Sequence, residues 1–290
     1  MEDKMENKME NKMDFNIVSD TINKNIKDDV MYLTFKEWDK YDFCKHLFTT
    51  RKGGVSVGDY ATMNLSYTRG DDKDAVDANY NIIAKLMESA VSEFVCSDQT
   101  HTDNIRKVTR NDCGKGTIRP RDYSDVDGLV TDEEEIVLGC FFADCVPVYF
   151  MDPVRKVVGI CHSGWKGTQK KIAVKMVRFM ESEYGSKIKD IRAAIGPSIC
   201  KSCYEIGYDV YKEFKDLPYA DEILMAKGND KYLLDLWKAN KIMLLEAGVQ
   251  DNNIVVTDLC TACNSELLFS HRKTGGRRGN MGAFVKIRKS

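Results

Sequence analysis

The sequence predicts an α+β fold: one compact domain with mixed β-sheets flanked by helices. Three observations carry this. Strand-like and helix-like segments intermingle rather than alternate strictly, which favours mixed sheets over a purely parallel α/β arrangement. Residues 146–151 and 156–161 are apolar runs on either side of Asp152-Pro153-Val154-Arg155, a turn with Asp first and Pro second, and so predict an antiparallel hairpin. Neither a Pro/Ser-rich linker nor a repeat follows the N-terminal tract. The 290 residues therefore divide into a polar, low-complexity extension, 1–29, and one domain, 30–290.

The elements follow in order. The extension opens with MEDKMENKMENKMD, in which Met1, Met5, Met9 and Met13 recur every fourth residue. Residues 21–29 are also polar, which places the start of folded structure near Val30. Residues 30–36 and 46–50 read as short strands, followed by the loop Arg51-Lys52-Gly53-Gly54. Residues 74–90 have helical spacing, with Val76, Tyr80, Ile83, Leu86 and Met87 on one side. Strands at 93–96 and 104–108 enclose a loop carrying Gln99-Thr100-His101, and strands at 128–131 and 136–142 lead into the hairpin. Residues 169–184 form an amphipathic helix stopped by Gly185. A strand at 191–195, a helical segment at 208–214 and a helix at 233–247 stopped by Gly248 come next. Strands at 254–256 and 284–287 complete the list.

Composition narrows the function classes. With 43% hydrophobic residues and a net charge of −2, the chain gives no general reason to expect nucleic-acid or membrane binding. No apolar run approaches the roughly 18 residues of a spanning helix. The charged N-terminus lacks the apolar core of a signal peptide. Ten cysteines without an export signal point to a reducing cytoplasm and mostly free thiols.

The hairpin also nominates a site. Cys145 and His162 are equidistant from a turn centred between Pro153 and Val154, so the symmetric register sets them opposite one another. Directly opposed Cβ atoms lie about 4.5–5.5 Å apart, close enough to share a metal ion or to act as nucleophile and base. A slip of one residue would send them to opposite faces. His101, one of only four histidines, is a third donor; two His and one Cys leave a fourth tetrahedral position for water or substrate. Asp144 is expected to point to the other face and to serve an orienting or structural role. Arg51, beside a glycine turn, suits an anion. Arg272, Lys273, Arg277 and Arg278 form a second basic group. Cys200-Lys201-Ser202-Cys203 and Cys260-Thr261-Ala262-Cys263 have the arithmetic of a structural zinc site, but 56 residues separate them and neither carries a glycine knuckle, so they read as ordinary thiols.

Taken together, Thr49-Thr50-Arg51, Gly53-Gly54-Val55-Ser56, Asn64-Leu65, Gln99-Thr100-His101, Asp127-Gly128-Leu129-Val130-Thr131, Ala143-Asp144-Cys145-Val146-Pro147, His162-Ser163-Gly164-Trp165-Lys166-Gly167, Gly196-Pro197, Tyr204-Glu205-Ile206-Gly207, Asp235-Leu236, Cys260-Thr261 and Phe269-Ser270-His271-Arg272 form an ordered set. The chain resembles the laccase-domain (YfiH-like) family, whose members are described as polyphenol oxidases and as purine nucleoside phosphorylases. The resemblance runs from about residue 45 to the C-terminus. It implies a compact layered α+β fold and a Zn2+ site made by His101, Cys145 and His162. It also implies phosphorolysis of adenosine or inosine to free base and ribose 1-phosphate, with methylthioadenosine cleavage and adenosine deamination as further activities. On that reading Arg51 and Arg272 supply the phosphate pocket, Arg51, Cys145 and His162 are catalytic, and Asn64 holds ribose or phosphate. The partners are nucleoside and phosphate, with no nucleic acid or membrane, and the protein is a cytoplasmic monomer or weak homodimer.

The chain departs from the family pattern at Thr102 for a glycine, Ser163 for Ala, Lys166 for Arg, and in the long segment from Thr274 to Gly282. These changes spare the metal ligands and bear on substrate preference. Two other activities compete: a Cys-His hydrolase or amidase editing cell-wall precursors, and a copper-dependent polyphenol oxidase. Four histidines are too few for a trinuclear copper cluster beside a further copper site.

Overall fold

The structure, a computed structural model, describes residues 19–289; the Met-Glu-Asn-Lys tract lies outside the described residues. The strands are β1 (Ile22–Lys27), β2 (Val30–Phe35), β3 (Cys44–Thr49), β4 (Phe94–Cys96), β5 (Ile105–Lys107), β6 (Gly128–Thr131), β7 (Val137–Phe142), β8 (Val146–Asp152), β9 (Val157–Ser163), β10 (Arg192–Ile195), β11 (Glu205–Gly207), β12 (Leu224–Gly228), β13 (Lys231–Leu234), β14 (Ile254–Val256) and β15 (Met281–Ile287). The α-helices are α1 (Lys73–Met87), α2 (Trp165–Gln169), α3 (Ile172–Tyr184), α4 (Tyr208–Tyr211), α5 (Ala220–Ile223), α6 (Leu236–Glu246) and α7 (His271–Thr274).

Two six-stranded sheets carry the fold, ordered β1-β2-β3-β15-β7-β4 and β14-β10-β8-β9-β6-β5; a small third sheet is ordered β11-β13-β12. Both large sheets are mixed: β4 runs parallel to β7, β5 to β6 and β14 to β10, and the other pairs are antiparallel. Alternation along the strands decides the layers. Leu33, Phe48, Leu138 and Val285 of the first sheet pack with Leu129, Tyr149 and Ile160 of the second in one core. The opposite face of the second sheet, through Val148, Phe150 and Ile195, packs on Met176 and Val177 of α3 and on Ala239 and Met243 of α6. The opposite face of the first sheet, through Leu47, Phe94 and Phe284, packs on Val76, Tyr80 and Ile83 of α1. The result is a helix–sheet–sheet–helix sandwich. Among the described residues no helix is long and apolar enough to cross a membrane.

Several expected boundaries move. Folded structure starts before Val30, because the polar residues of β1 pair with β2 along their whole length. Its entry is pinned where Ser19 Oγ donates to the Thr257 carbonyl at 2.7 Å. The helix expected over 169–184 starts at Ile172 as α3, set off from the short α2 by Lys171, a left-handed residue of φ 60°. The helix expected from 233 starts at Leu236, where the Asp235 side chain caps it by accepting the Lys238 N–H at 2.9 Å. Leu233 and Leu234 belong to β13 instead.

The hairpin register is the correction that matters most. β8 and β9 pair Pro147 with His162 and Asp152 with Val157, two residues away from the symmetric register. The cause lies in the turn. Asp152 Oδ1 accepts the N–H groups of Val154 and Arg155 at 2.8 and 3.0 Å, and Lys156 adopts φ 53°, so Lys156 joins the loop rather than the strand. A slip of two residues preserves the face. Cys145 and His162 still point to the same side of the sheet, but as diagonal neighbours.

Candidate active site

The site forms at the open end of the two-sheet core, where β6, β8 and β9 meet the loop between β4 and β5. Cys145 immediately precedes β8, and continuing the register sets it across from Gly164. A Cβ added at Gly164 would lie 3.0 Å from Cys145 Sγ and 3.2 Å from His101 Cδ2, so a larger residue there would press on both side chains. His162 lies in β9, with its ring 4.9 Å from that of His101, centroid to centroid. The ligand atoms of His101, Cys145 and His162 all lie within 4.8 Å of one another. The structure thus brings together the three residues that the sequence nominated.

Asp127, fully buried just before β6, organises them. Its Oδ1 lies 2.7 Å from His162 Nδ1 and accepts the His101 N–H at 3.2 Å. Its Oδ2 accepts the N–H groups of Thr100 and Thr102 at 3.2 and 2.7 Å and the Thr102 hydroxyl at 2.8 Å. One carboxylate therefore shapes the His101 loop, where His101 adopts φ 67°, and fixes the His162 tautomer with Nε2 free to bind a metal. Thr102, a departure from the family pattern, adds one bond to this set.

The electrostatics favour a charged pair. Burial works against the Cys145 thiolate, but His162 and His101 more than compensate and draw its pKa down to about 6. Burial also works against the His162 imidazolium, yet Cys145 and Asp127 hold its pKa up to about 9. A thiolate is the form that ligates a metal or attacks as a nucleophile.

The donors open into a cleft of about 270 Å³. Its apolar wall includes Leu65, Tyr67 and Phe141, and its basic residues are Arg69, Arg121 and Arg278. Arg278 is buried, and its Nε has no hydrogen-bond partner. Burial, then repulsion from Arg69, pushes its pKa down to about 10. A guanidinium lining a cleft can hold an anion by charge-assisted hydrogen bonds.

The other nominated residues stand elsewhere. Arg51 donates from Nε to the Ala61 carbonyl at 2.8 Å and from Nη1 to the Ser265 carbonyl at 3.0 Å, and lies over the Phe269 ring. Arg272 donates to the Glu205 carbonyl at 2.8 Å and lies over Tyr204. Asn64 is buried, donating to Ser66 and Asp71 and accepting the N–H groups of Ser66 and Asn280. These three brace loops and do not line the cleft. Asp144, with φ 93°, accepts the Thr261 hydroxyl at 2.6 Å and the Arg272 N–H at 2.7 Å. Sequence reasoning passed over Arg69, Arg121 and the role of Asp127. For Asp127 the available signals were its place directly before the apolar strand 128–131 and its membership of the Asp127–Thr131 motif.

A family model described as multi-copper polyphenol oxidoreductase laccase matches residues 45–288. The chain is 38% identical over 249 residues, 84% of its length and 88% of the relative's, to purine nucleoside phosphorylase YlmD of Bacillus subtilis. Among solved structures, it superposes on Bacillus licheniformis hypothetical protein YfiH with a TM-score of 0.86 at 36% identity, covering 91% of this chain and 99% of that one. It matches YlmD from Geobacillus stearothermophilus with a TM-score of 0.86 at 34% identity, covering 93% of this chain and 100% of that one.

Proposed function

Because the chain belongs to the multi-copper polyphenol oxidoreductase laccase family, in which its relatives carry the name purine nucleoside phosphorylase, we propose that it is a zinc-dependent purine nucleoside phosphorylase acting on adenosine or inosine. The observation that carries this reading is the meeting of His101, Cys145 and His162 with Arg69, Arg121 and Arg278 in one cleft.

The donor set fits zinc: one thiolate and two imidazoles, one of them oriented by a carboxylate. Zinc held there would supply Lewis acidity and leave one of four coordination positions for water or substrate. Phosphorolysis breaks the glycosidic carbon–nitrogen bond and joins the ribose carbon to a phosphate oxygen, while the electron pair departs on the purine. Arg278, Arg69 and Arg121 would hold the phosphate by charge-assisted hydrogen bonds and fix it against the ribose. Leu65, Tyr67 and Phe141 offer apolar surface to the purine. In this reading the phosphate role passes from Arg51 and Arg272, which stand outside the cleft, to the arginines that line it. Methylthioadenosine cleavage and adenosine deamination are further activities of the same pocket. Ten cysteines outside any disulfide fit a reducing cytoplasm, and the reading takes the protein as a monomer or weak homodimer.

One observation favours a second reading. Cys145, His162 and Asp127 also stand as nucleophile, base and orienting carboxylate, which suits a Cys-His hydrolase or amidase. A multi-copper oxidase is disfavoured by the other histidines: His46 sits in the core accepting the Phe35 N–H at 2.8 Å, and His271 lies 3.4 Å from an Arg278 nitrogen.

The test is incubation of metal-assayed protein with adenosine, and in parallel with inosine and methylthioadenosine, with and without phosphate, and chromatography of the products. Adenine and ribose 1-phosphate formed only with phosphate support the phosphorylase. Inosine formed without phosphate shows deamination. No turnover of adenosine, inosine or methylthioadenosine in either condition, with zinc bound, rejects the nucleoside reading and turns the search to the hydrolase.

A further inference from the structure

The two C-x-x-C elements, 56 residues apart in the chain, meet in space. Cys200 and Cys203 bracket a 3-10 turn at Lys201–Cys203; Cys260 and Cys263 follow β14. A bridge between Ser198 and Cys260 joins the two segments. The four Sγ atoms all lie within 4.8 Å of one another, with Cys203 and Cys263 at 3.5 Å. Tetrahedral zinc with Zn–S bonds of about 2.3 Å needs sulfur–sulfur edges of about 3.8 Å, so the cluster requires only small side-chain adjustments to close on an ion.

Other features point the same way. The N–H groups of Cys200 and Cys263 are directed at Cys260 Sγ at 3.3 and 3.4 Å, donors that stabilise a thiolate rather than a thiol. Each element has the two-residue spacing of a zinc-binding pair. The surrounding Ile199, Ala262, Tyr204 and Trp237 are apolar or aromatic and compete for no ligand position.

We propose that Cys200, Cys203, Cys260 and Cys263 form a second metal site, a closed tetrathiolate zinc centre separate from the cleft. Four protein sulfurs leave no coordination position for substrate, so its role is structural. What it braces is specific. Ile199 N–H donates to the Asp144 carbonyl at 3.0 Å, and the Thr261 hydroxyl donates to the Asp144 carboxylate at 2.6 Å. The clamped segments thus grip Asp144 from two sides, and Asp144 directly precedes Cys145. The tetrathiolate positions the Cys145 loop from outside without touching the cleft.

The experiment uses the full chain, purified under reducing conditions, with zinc measured by plasma mass spectrometry. Wild type should hold about two zinc ions per chain, and Cys203→Ser/Cys263→Ser and His101→Ala/His162→Ala about one each. Zinc content in the cysteine variant equal to wild type overturns the proposal. So does an intact-protein mass showing disulfides within the tetrad of freshly prepared wild type, or iron or copper there in place of zinc. If the cysteine variant does not fold, X-ray absorption of the histidine variant, whose tetrad is intact, decides: four sulfurs around zinc support the site, and nitrogen or oxygen ligands, or no zinc, overturn it. This readout does not depend on the activity assigned to the cleft.

Discussion

Asp127 Oδ1 lies 2.7 Å from His162 Nδ1 at a position where both side chains are buried, and the same carboxylate accepts the His101 N–H. Two of the three nominated metal ligands therefore depend on one residue that ligates nothing. Replacing Asp127 with Asn leaves one oxygen to serve five donors and turns the other into a donor. Metal affinity should fall by roughly 10- to 100-fold, as for other partners of ligating histidines. Competition with a chromophoric chelator measures it; affinity within about twofold of wild type would show that Asp127 does not orient the site.

Gly164→Ala tests the crowding opposite Cys145. The added methyl would sit 3.0 Å from the thiol sulfur and 3.2 Å from the His101 ring, with no positive φ to add strain. We expect a folded protein with a thermal midpoint within a few degrees of wild type, at least about tenfold weaker metal binding, and a corresponding loss of activity. Retained metal and activity would mean that the His101 loop yields freely.

Arg278 and Arg51 should separate binding from bracing. Arg278→Met removes a buried guanidinium with an unpaired Nε and should raise the KM for phosphate by roughly 10- to 100-fold, the value of one charge-assisted hydrogen bond. Arg51→Ala removes two hydrogen bonds to backbone carbonyls and should lower stability by about 1–3 kcal/mol while leaving that KM nearly unchanged. Initial rates against phosphate, with thermal melts of both variants, check the pair; the reverse pattern would restore Arg51 as the anion ligand.

His46 predicts an acid-side loss of stability remote from the cleft. Burial, opposed by Asp39, pushes its pKa from 6.5 down to about 4. Between those values the unfolded chain binds a proton that the folded chain refuses, so stability rises with pH across the window. The contribution is fully present above about pH 6.5, is lost progressively toward pH 4, and amounts to on the order of 3 kcal/mol. Denaturant melts from pH 4 to 7 should show this slope reduced in His46→Gln, whose amide oxygen accepts the Phe35 N–H without titrating. Parallel slopes would reassign the effect.

The sequence made legible what local patterning controls. Apolar runs announced β2, β6, β8 and β14 within a residue or two, and the spacing of Val76, Tyr80 and Ile83 announced α1. It hid what distant partners control. In β1 only Ile22 is buried, and the strand exists because β2 offers it a ladder. Leu233 and Leu234 fit a helical pattern as well as a strand, and pairing with β11 and β12 decided between them. At the site the clustering of His101, Cys145 and His162 was legible from residue type and from resemblance. The Asp127–His162 contact spans 35 residues and could not be read from spacing. Cys145 and His162 share a face of the hairpin although the register is two residues from the symmetric one, because an even slip keeps the face.

The position of β15 has a consequence for how the chain is made. The last strand of the described structure lies inside the first sheet, hydrogen-bonded to β3 on one side and β7 on the other. During synthesis on the ribosome those two strands emerge long before the segment that joins them, and their facing edges wait unpaired. The first sheet, and with it Arg278 and Asn280 at the cleft rim, can be completed only after residue 287 has left the exit tunnel. A nascent chain stalled short of that point should be readily cleaved by protease, and one released beyond it should not.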